Sequence, residues 1–172
     1  MSGSAVPVLP GGWTWTTFGE VAMYLNGRAF KPSEWGDSGR PIIRIQNLTG
    51  SSQVVNRYSA DLEDRYQVRD GDLLISWSAT LDAFIYRGED AALNQHIFKV
   101  VPFVDKTFLY YVTKAYIGTL RGQVHGSGMQ HITKGPFERS RLTLPPLSEQ
   151  VRIVSKIEEL LSDLAAEVEQ MQ

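Results

Sequence analysis

The sequence predicts an α+β fold: a mixed, largely antiparallel sheet domain with short helices, followed by a projecting C-terminal coiled-coil helix. Three observations carry this. Short β-branched and aromatic runs recur between Gly, Pro and Asn turn signals, as at 41–48, 73–77 and 92–101. From Lys106 to about Leu120, Phe108, Leu109, Val112, Tyr116, Ile117 and Leu120 stand at helical spacing. Beyond Ser148, the residues Val154, Ile157, Leu161, Leu164, Val168 and Met171 step by 3, 4, 3, 4, 3, a two-position heptad seam. The 172 residues therefore divide into a domain over 1–147 and a helix over 148–172.

Composition narrows the class. A hydrophobic share of 42% and a charged share of 21% suit an ordinary folded domain. The chain has no cysteine, which excludes disulfides and Cys-ligated zinc and fits the cytoplasm. No apolar run approaches the roughly 18 residues of a membrane helix, and no signal-peptide pattern opens the chain. Met1-Ser2-Gly3-Ser4 reads either as natural sequence or as a cloning leader. The net charge of −2 is unevenly spread: from Glu149 onward two basic residues face six acidic ones, while Lys106 to Arg141 holds six basic against one acidic. A basic stretch followed by an acidic helix suggests two surfaces with two partners, the alternative being ordinary surface charge.

In chain order, Trp13 and Trp15 alternate with threonines and suit a short strand with one buried face. Phe18 to Leu25 reads as a helical turn or short helix. Asn26-Gly27 opens a polar, irregular segment through Gly39 that carries Arg28, Lys31, Trp35 and Arg40. A loop of that length is functional or mobile. Pro41 to Leu48 is the strongest strand pattern, with Arg44 and Gln46 alternating outward. Arg pairs bidentately with guanine and Gln or Asn with adenine, so Arg44, Gln46 and Asn47 are candidate base readers. Alternatively, Arg44 and Gln46 only tie the sheet to its loops.

Val54-Val55 suggests a brief strand, and the turn Asp70-Gly71-Asp72 leads into a strand over Leu73–Trp77. Ser76, Ser78 and Thr80 form a hydroxyl-rich stretch suited to phosphate contacts, or to nothing beyond ordinary surface polarity. Asp82–Arg87 and Ala92–Val101 complete a meander, interrupted by Asn94-Gln95-His96, whose side chains suit base edges. Asp105 is placed to cap the helix from Lys106. Arg121 and His125 lead to the turn Gly126-Ser127-Gly128, followed by Gln130, His131, Thr133 and Lys134, polar groups able to grip a nucleic acid. Arg141–Leu144 alternates as a strand and stops at Pro145-Pro146. Ser148 suits an N-cap, with Glu149 at the positive end of the last helix.

The run GSGMQHITKGPF, followed by LTLPPLSEQVRIVSKIEELLSDL, resembles the end of a target-recognition domain in the specificity subunits of type I restriction-modification systems. LPGGWTWTTFGEVA near the start, and PIIRIQNL and GDLLISWSAT in the middle, match the same family in the same order. Such subunits hold two recognition domains and two long helices. This sequence has one domain and the start of one helix, and so resembles a half-subunit or an excised fragment. The resemblance implies double-stranded DNA as ligand. Arg28, Lys31, Arg121 and Ser127 join the base and phosphate candidates above. It also implies docking on modification (methyltransferase) subunits and, through them, the restriction subunit, and weak self-pairing through the heptad seam.

No catalytic apparatus is legible. The Asn/Asp/Ser-Pro-Pro-aromatic motif of adenine methyltransferases has no counterpart in Leu144-Pro145-Pro146-Leu147. No Gly-rich segment suits S-adenosylmethionine, which the resemblance places on the modification subunit. His96, His125 and His131 are too scattered for a metal site, and no Walker loop occurs. The expectation is a non-enzymatic, cofactor-free DNA-recognition module. Two alternatives stand beside it: a coiled-coil adaptor without a DNA role, and the recognition domain of a single-chain restriction-methylation enzyme.

Overall fold

The computed structural model describes residues 8–78, 80–123 and 133–171, with residues 121–123 described by backbone alone. Its centre is an antiparallel sheet in the order β2-β9-β6-β7, from Ala22–Asn26, Ile97–Pro102, Leu73–Ser76 and Asp82–Ile85. A continuous apolar run such as Leu73-Leu74-Ile75 belongs where both faces are covered. Here Leu73 and Ile75, with Tyr24 and Phe98 of the same sheet, pack on a helical layer that supplies Phe18, Leu109 and Phe137, while Leu74, with Ile97, packs on a second sheet that supplies Ile43, Val68 and Leu93. Each such side chain contributes roughly 1.5–3 kcal/mol by leaving water.

The second sheet is mixed, in the order β4-β3-β8-β5, from Arg57–Tyr58, Arg40–Ile43, Ala91–Leu93 and Gln67–Val68. Its β3 and β8 run parallel, with Ile42 opposite Ala92 and Ile43 opposite Leu93. A small outer cluster of Phe30, Ile42, Tyr58, Leu62 and Ala92 closes it. The expected meander is therefore broken: β8 leaves for the second sheet, and β9 returns to pair with β6 and β2.

The helices are α1 (Phe18–Val21), α2 (Ile45–Leu48), α3 (Lys106–Gln123), α4 (Lys134–Arg139) and α5 (Leu147–Gln170). Asp105 caps α3 as expected, its carboxylate accepting the Phe108 N–H at 2.7 Å. Arg141–Leu144 is strand β10 and pairs antiparallel with β1 (Thr14–Thr17), joining the chain's two ends. Among the described residues no helix is long and apolar enough to cross a membrane.

Several expectations need correction. Phe18–Leu25 is one turn of helix followed by β2, because Ala22 and Tyr24 are buried while Met23 between them is exposed, a strand period. The strand over Pro41–Leu48 ends at Ile43; the Asn47 side chain accepts the Arg44 N–H at 3.0 Å and starts α2 instead. Arg44 and Gln46 thus do not alternate on a sheet. Val54 and Val55 are exposed and outside any strand, and Arg57–Tyr58 pairs with β3 in their stead. Helix α4 was not foreseen. Ser148 is not the N-cap of α5, which begins at Leu147 with Pro146 in the capping position, its φ of −54° preset by the ring.

Candidate nucleic-acid interface

Three segments converge beside the seam between the two sheets. The first is the stretch from Asn26 to α2, the second the turn after β6, the third the turn Asn94-Gln95-His96 between β8 and β9. They enclose an open recess of about 430 Å³ lined by Phe30, Trp35, Arg44, Ile45, Gln46, Ser78, Asn94, Gln95 and His96.

The backbone holds this recess from both sheets. The Asn94 N–H donates to the Ile43 carbonyl at 3.2 Å, and the Trp77 N–H to the His96 carbonyl at 3.2 Å. Arg28 forms a parallel bridge with Asn94, and the Gly27 N–H reaches the Ile97 carbonyl at 3.1 Å. Gly27 has to lack a side chain, since a Cβ there would lie 2.1 Å from the Asn94 carbonyl oxygen. The glycine of Asn26-Gly27 thus serves close backbone approach at the floor of the recess.

The walls are aromatic and polar. The Arg44 guanidinium lies 4.5 Å above the Trp35 ring, and the His96 ring centroid is 5.5 Å from that of Trp77, which stacks on Phe98. The Gln95 amide nitrogen lies 3.3 Å from His96 Nε2. Gln46, Gln95 and His96 are exposed, while Arg44 and Ser78 are half-buried. A guanidinium stacked on an indole, an imidazole tilted against another and two exposed amides suit base edges and base faces.

Six of the residues singled out in the sequence therefore meet at one place: Arg44, Gln46, Ser78, Asn94, Gln95 and His96. Others have different work. Arg28 packs over Phe30 at 4.3 Å and Tyr58 at 5.0 Å and pairs with Glu34, which fastens the loop. Asn47 spends its amide locally, accepting from Arg44 and donating to the Ser52 and Val54 carbonyls. Ser76 is 0% exposed. Its hydroxyl donates to the Thr80 carbonyl at 2.5 Å and accepts the Asp82 N–H at 3.1 Å, so it is closed to a phosphate. Lys134 donates to the Tyr24 carbonyl at 2.8 Å, docking α4 on β2. Lys31 is exposed in the loop. Arg121 belongs to α3 with its side chain outside the described residues, and the candidates Ser127, Gln130 and His131 lie outside them entirely. Trp35, named in the sequence only as part of the loop, is a wall residue, and a lone tryptophan in a polar loop was the available signal.

The second surface is α5. Its first turns pack along α3, where Val154 and Ile157 are half-buried. Farther out the seam is bare: Leu161 is 51% and Leu164 57% exposed, and Val168 and Met171 are exposed as well.

Comparison with known proteins matches this arrangement. Residues 10–170 fit the family model of the type I restriction modification DNA specificity domain. Over 158 residues the chain is 30% identical to the specificity subunit of the type I restriction enzyme EcoBI from Escherichia coli, covering 88% of this chain and 33% of that subunit. The chain thus spans about a third of the length of that curated relative. The HsdS subunit from Thermoanaerobacter tengcongensis superposes with a TM-score of 0.71 at 23% identity, over 96% of this chain and 41% of that one. A chain from structural work on complex assembly and conformational transition of the type I R-M system superposes with a TM-score of 0.76 at 23% identity, over 95% and 42%. At that identity the two structures share a fold with it.

Proposed function

The chain belongs to the type I restriction modification DNA specificity domain family and is a DNA-recognition domain of that kind, and from that premise we propose that it directs a partner adenine methyltransferase to a split DNA target. The chain performs no chemistry in this reading. S-adenosylmethionine is held by the modification subunits, and the restriction subunit joins through them. The observation that carries the proposal is the recess itself: an Arg stacked on Trp35, the exposed amides of Gln46 and Gln95 and a histidine, all lining one opening. Base edges in the major groove offer the donor and acceptor pattern such groups pair with.

The bare outer seam of α5 supports the second half of the proposal. Two copies pair helix to helix and set two recesses on one duplex, so that the target is two-fold symmetric and interrupted. Pairing is weak, because the helix region carries a balance of −4 from Glu149 onward.

Mapping adenine methylation in a methylation-free host that co-expresses this chain with its matching modification subunit tests the reading. One interrupted, symmetric motif is the expected result. A soluble complex that methylates no defined motif, or methylates regardless of sequence, overturns it.

A further inference from the structure

The root of α5 is fastened by hydrogen bonds as well as by apolar packing. The Trp13 indole N–H donates to the Glu149 carboxylate at 2.5 Å. Gln150 is only 4% exposed, and both ends of its amide are used. Its oxygen accepts the Asp105 N–H at 3.0 Å and its nitrogen donates to the Pro145 carbonyl at 2.9 Å. Asp105 is the residue that caps α3. Gly12, at a φ of +82°, lies against Pro146, where an added Cβ would stand 3.0 Å from the proline ring. The glycine and tryptophan of one end of the chain and the Pro-Pro-Leu-Ser-Glu-Gln run of the other thus interlock at one point.

From these contacts we infer that Trp13 and Gln150 are positioning residues that fix the direction in which α5 leaves the domain, and so the spacing between the two halves of the target. The inference rests on the split-target reading above. Apolar contact is non-directional, whereas a hydrogen bond weakens steeply once bent below about 120°. A buried amide engaged at both ends therefore selects one helix direction. Lever length makes this matter. The 24 residues of α5 span about 36 Å, so a tilt of about 5° at the root moves the tip by about 3 Å. One base-pair step is about 3.4 Å, and a loosely held root would blur the spacing by a base pair or more.

The absence of cysteine permits a direct measurement on the full chain. Spin labels go on Asp61→Cys and Glu167→Cys, diluted with unlabelled chain, and a control pair on Asp61→Cys and Thr119→Cys reports on the domain. Wild type gives one narrow tip distance. In the combined Trp13→Phe and Gln150→Met variant the tip distribution widens by about 3 Å or more, while the control pair is unchanged. In the assembled methyltransferase, offered half-sites with randomised spacers, wild type selects one spacing and the variant accepts its neighbours with the half-site bases unaltered. A tip distribution as narrow as wild type overturns the inference and assigns the direction to the packing of α5 on α3. If the control pair widens too, Trp13→Phe alone, which keeps an aromatic ring there and leaves Gln150 in place, is judged by the same two pairs. A wild type that methylates no split target refutes the functional reading, and the label distances still decide the positioning role.

Discussion

The Arg44 guanidinium sits 4.5 Å over the Trp35 ring at the mouth of the recess, so the side chain is aimed before any ligand arrives. A cation–π contact at an exposed site is worth about 0.5–1 kcal/mol. Trp35→Ala should weaken specific DNA binding by the assembled complex about two- to fivefold. Arg44→Ala should relax one base position by about 1–3 kcal/mol and leave the others intact. Competition with single-base target variants measures both. A uniform loss across all sequences would make Arg44 a phosphate contact instead.

Ser76 and Ser78 stand two residues apart in one motif and have opposite fates. Ser76→Ala removes the buried acceptor of the Asp82 N–H, at a cost of about 1–3 kcal/mol. Thermal melting should fall by several degrees. The methylated motif should be unchanged. Ser78→Ala, at the rim of the recess, should leave the melting point nearly alone and weaken DNA binding. The reverse pattern would contradict this division.

Acid should loosen the loop that carries Trp35. The Lys31 backbone N–H, and after it the Arg28 guanidinium, hold the Glu34 carboxyl below its ordinary value of 4.5. A lowered native pKa means the folded state favours the ionised form. The contribution is therefore complete above the ordinary carboxylate value and disappears as pH falls through the lowered one. Amide protection at Glu34 and Trp35, the exchange rate taken relative to the intrinsic rate at each pH, should be flat from neutral pH down to that ordinary value and fall below it. Glu34→Gln should exchange faster at neutral pH and lose the acid step. An unchanged acid step in that variant would assign it to another carboxylate.

Much of the fold was legible where composition, turn signals and burial agree. Leu73–Ser76, Arg141–Leu144 and the helix from Lys106 all follow their patterns. The failures fall where two short elements of different type follow each other with no turn signal between them. Four residues of helix run straight into a strand at Val21-Ala22, and a single side chain, Asn47, turns Arg44–Leu48 from strand to helix. In the site, Arg44, Gln46, Gln95 and His96 could be named from their side-chain chemistry alone. For Arg28 and Lys134 the contacts to Tyr58 and to a strand carbonyl could not be read, since a cation's sequence signature does not reveal such partners.

The outer seam of α5 offers the sharpest test of assembly. Leu161 and Leu164 are 51% and 57% exposed, so neither supports the domain core, and Leu161→Glu with Leu164→Glu should leave the melting point of the domain unchanged. Helix pairing should vanish, because the seam would then set buried carboxylates against one another at its centre. Wild type should show concentration-dependent sedimentation that strengthens as salt rises, since the acidic helices repel at low ionic strength. DNA binding has the opposite salt dependence, as phosphate contacts weaken with added salt. The two associations can thus be told apart in one titration: self-pairing of the free chain grows with salt while capture of duplex by the complex declines. A wild type that stays monomeric at high concentration and high salt would remove self-pairing and leave the seam to the modification subunits.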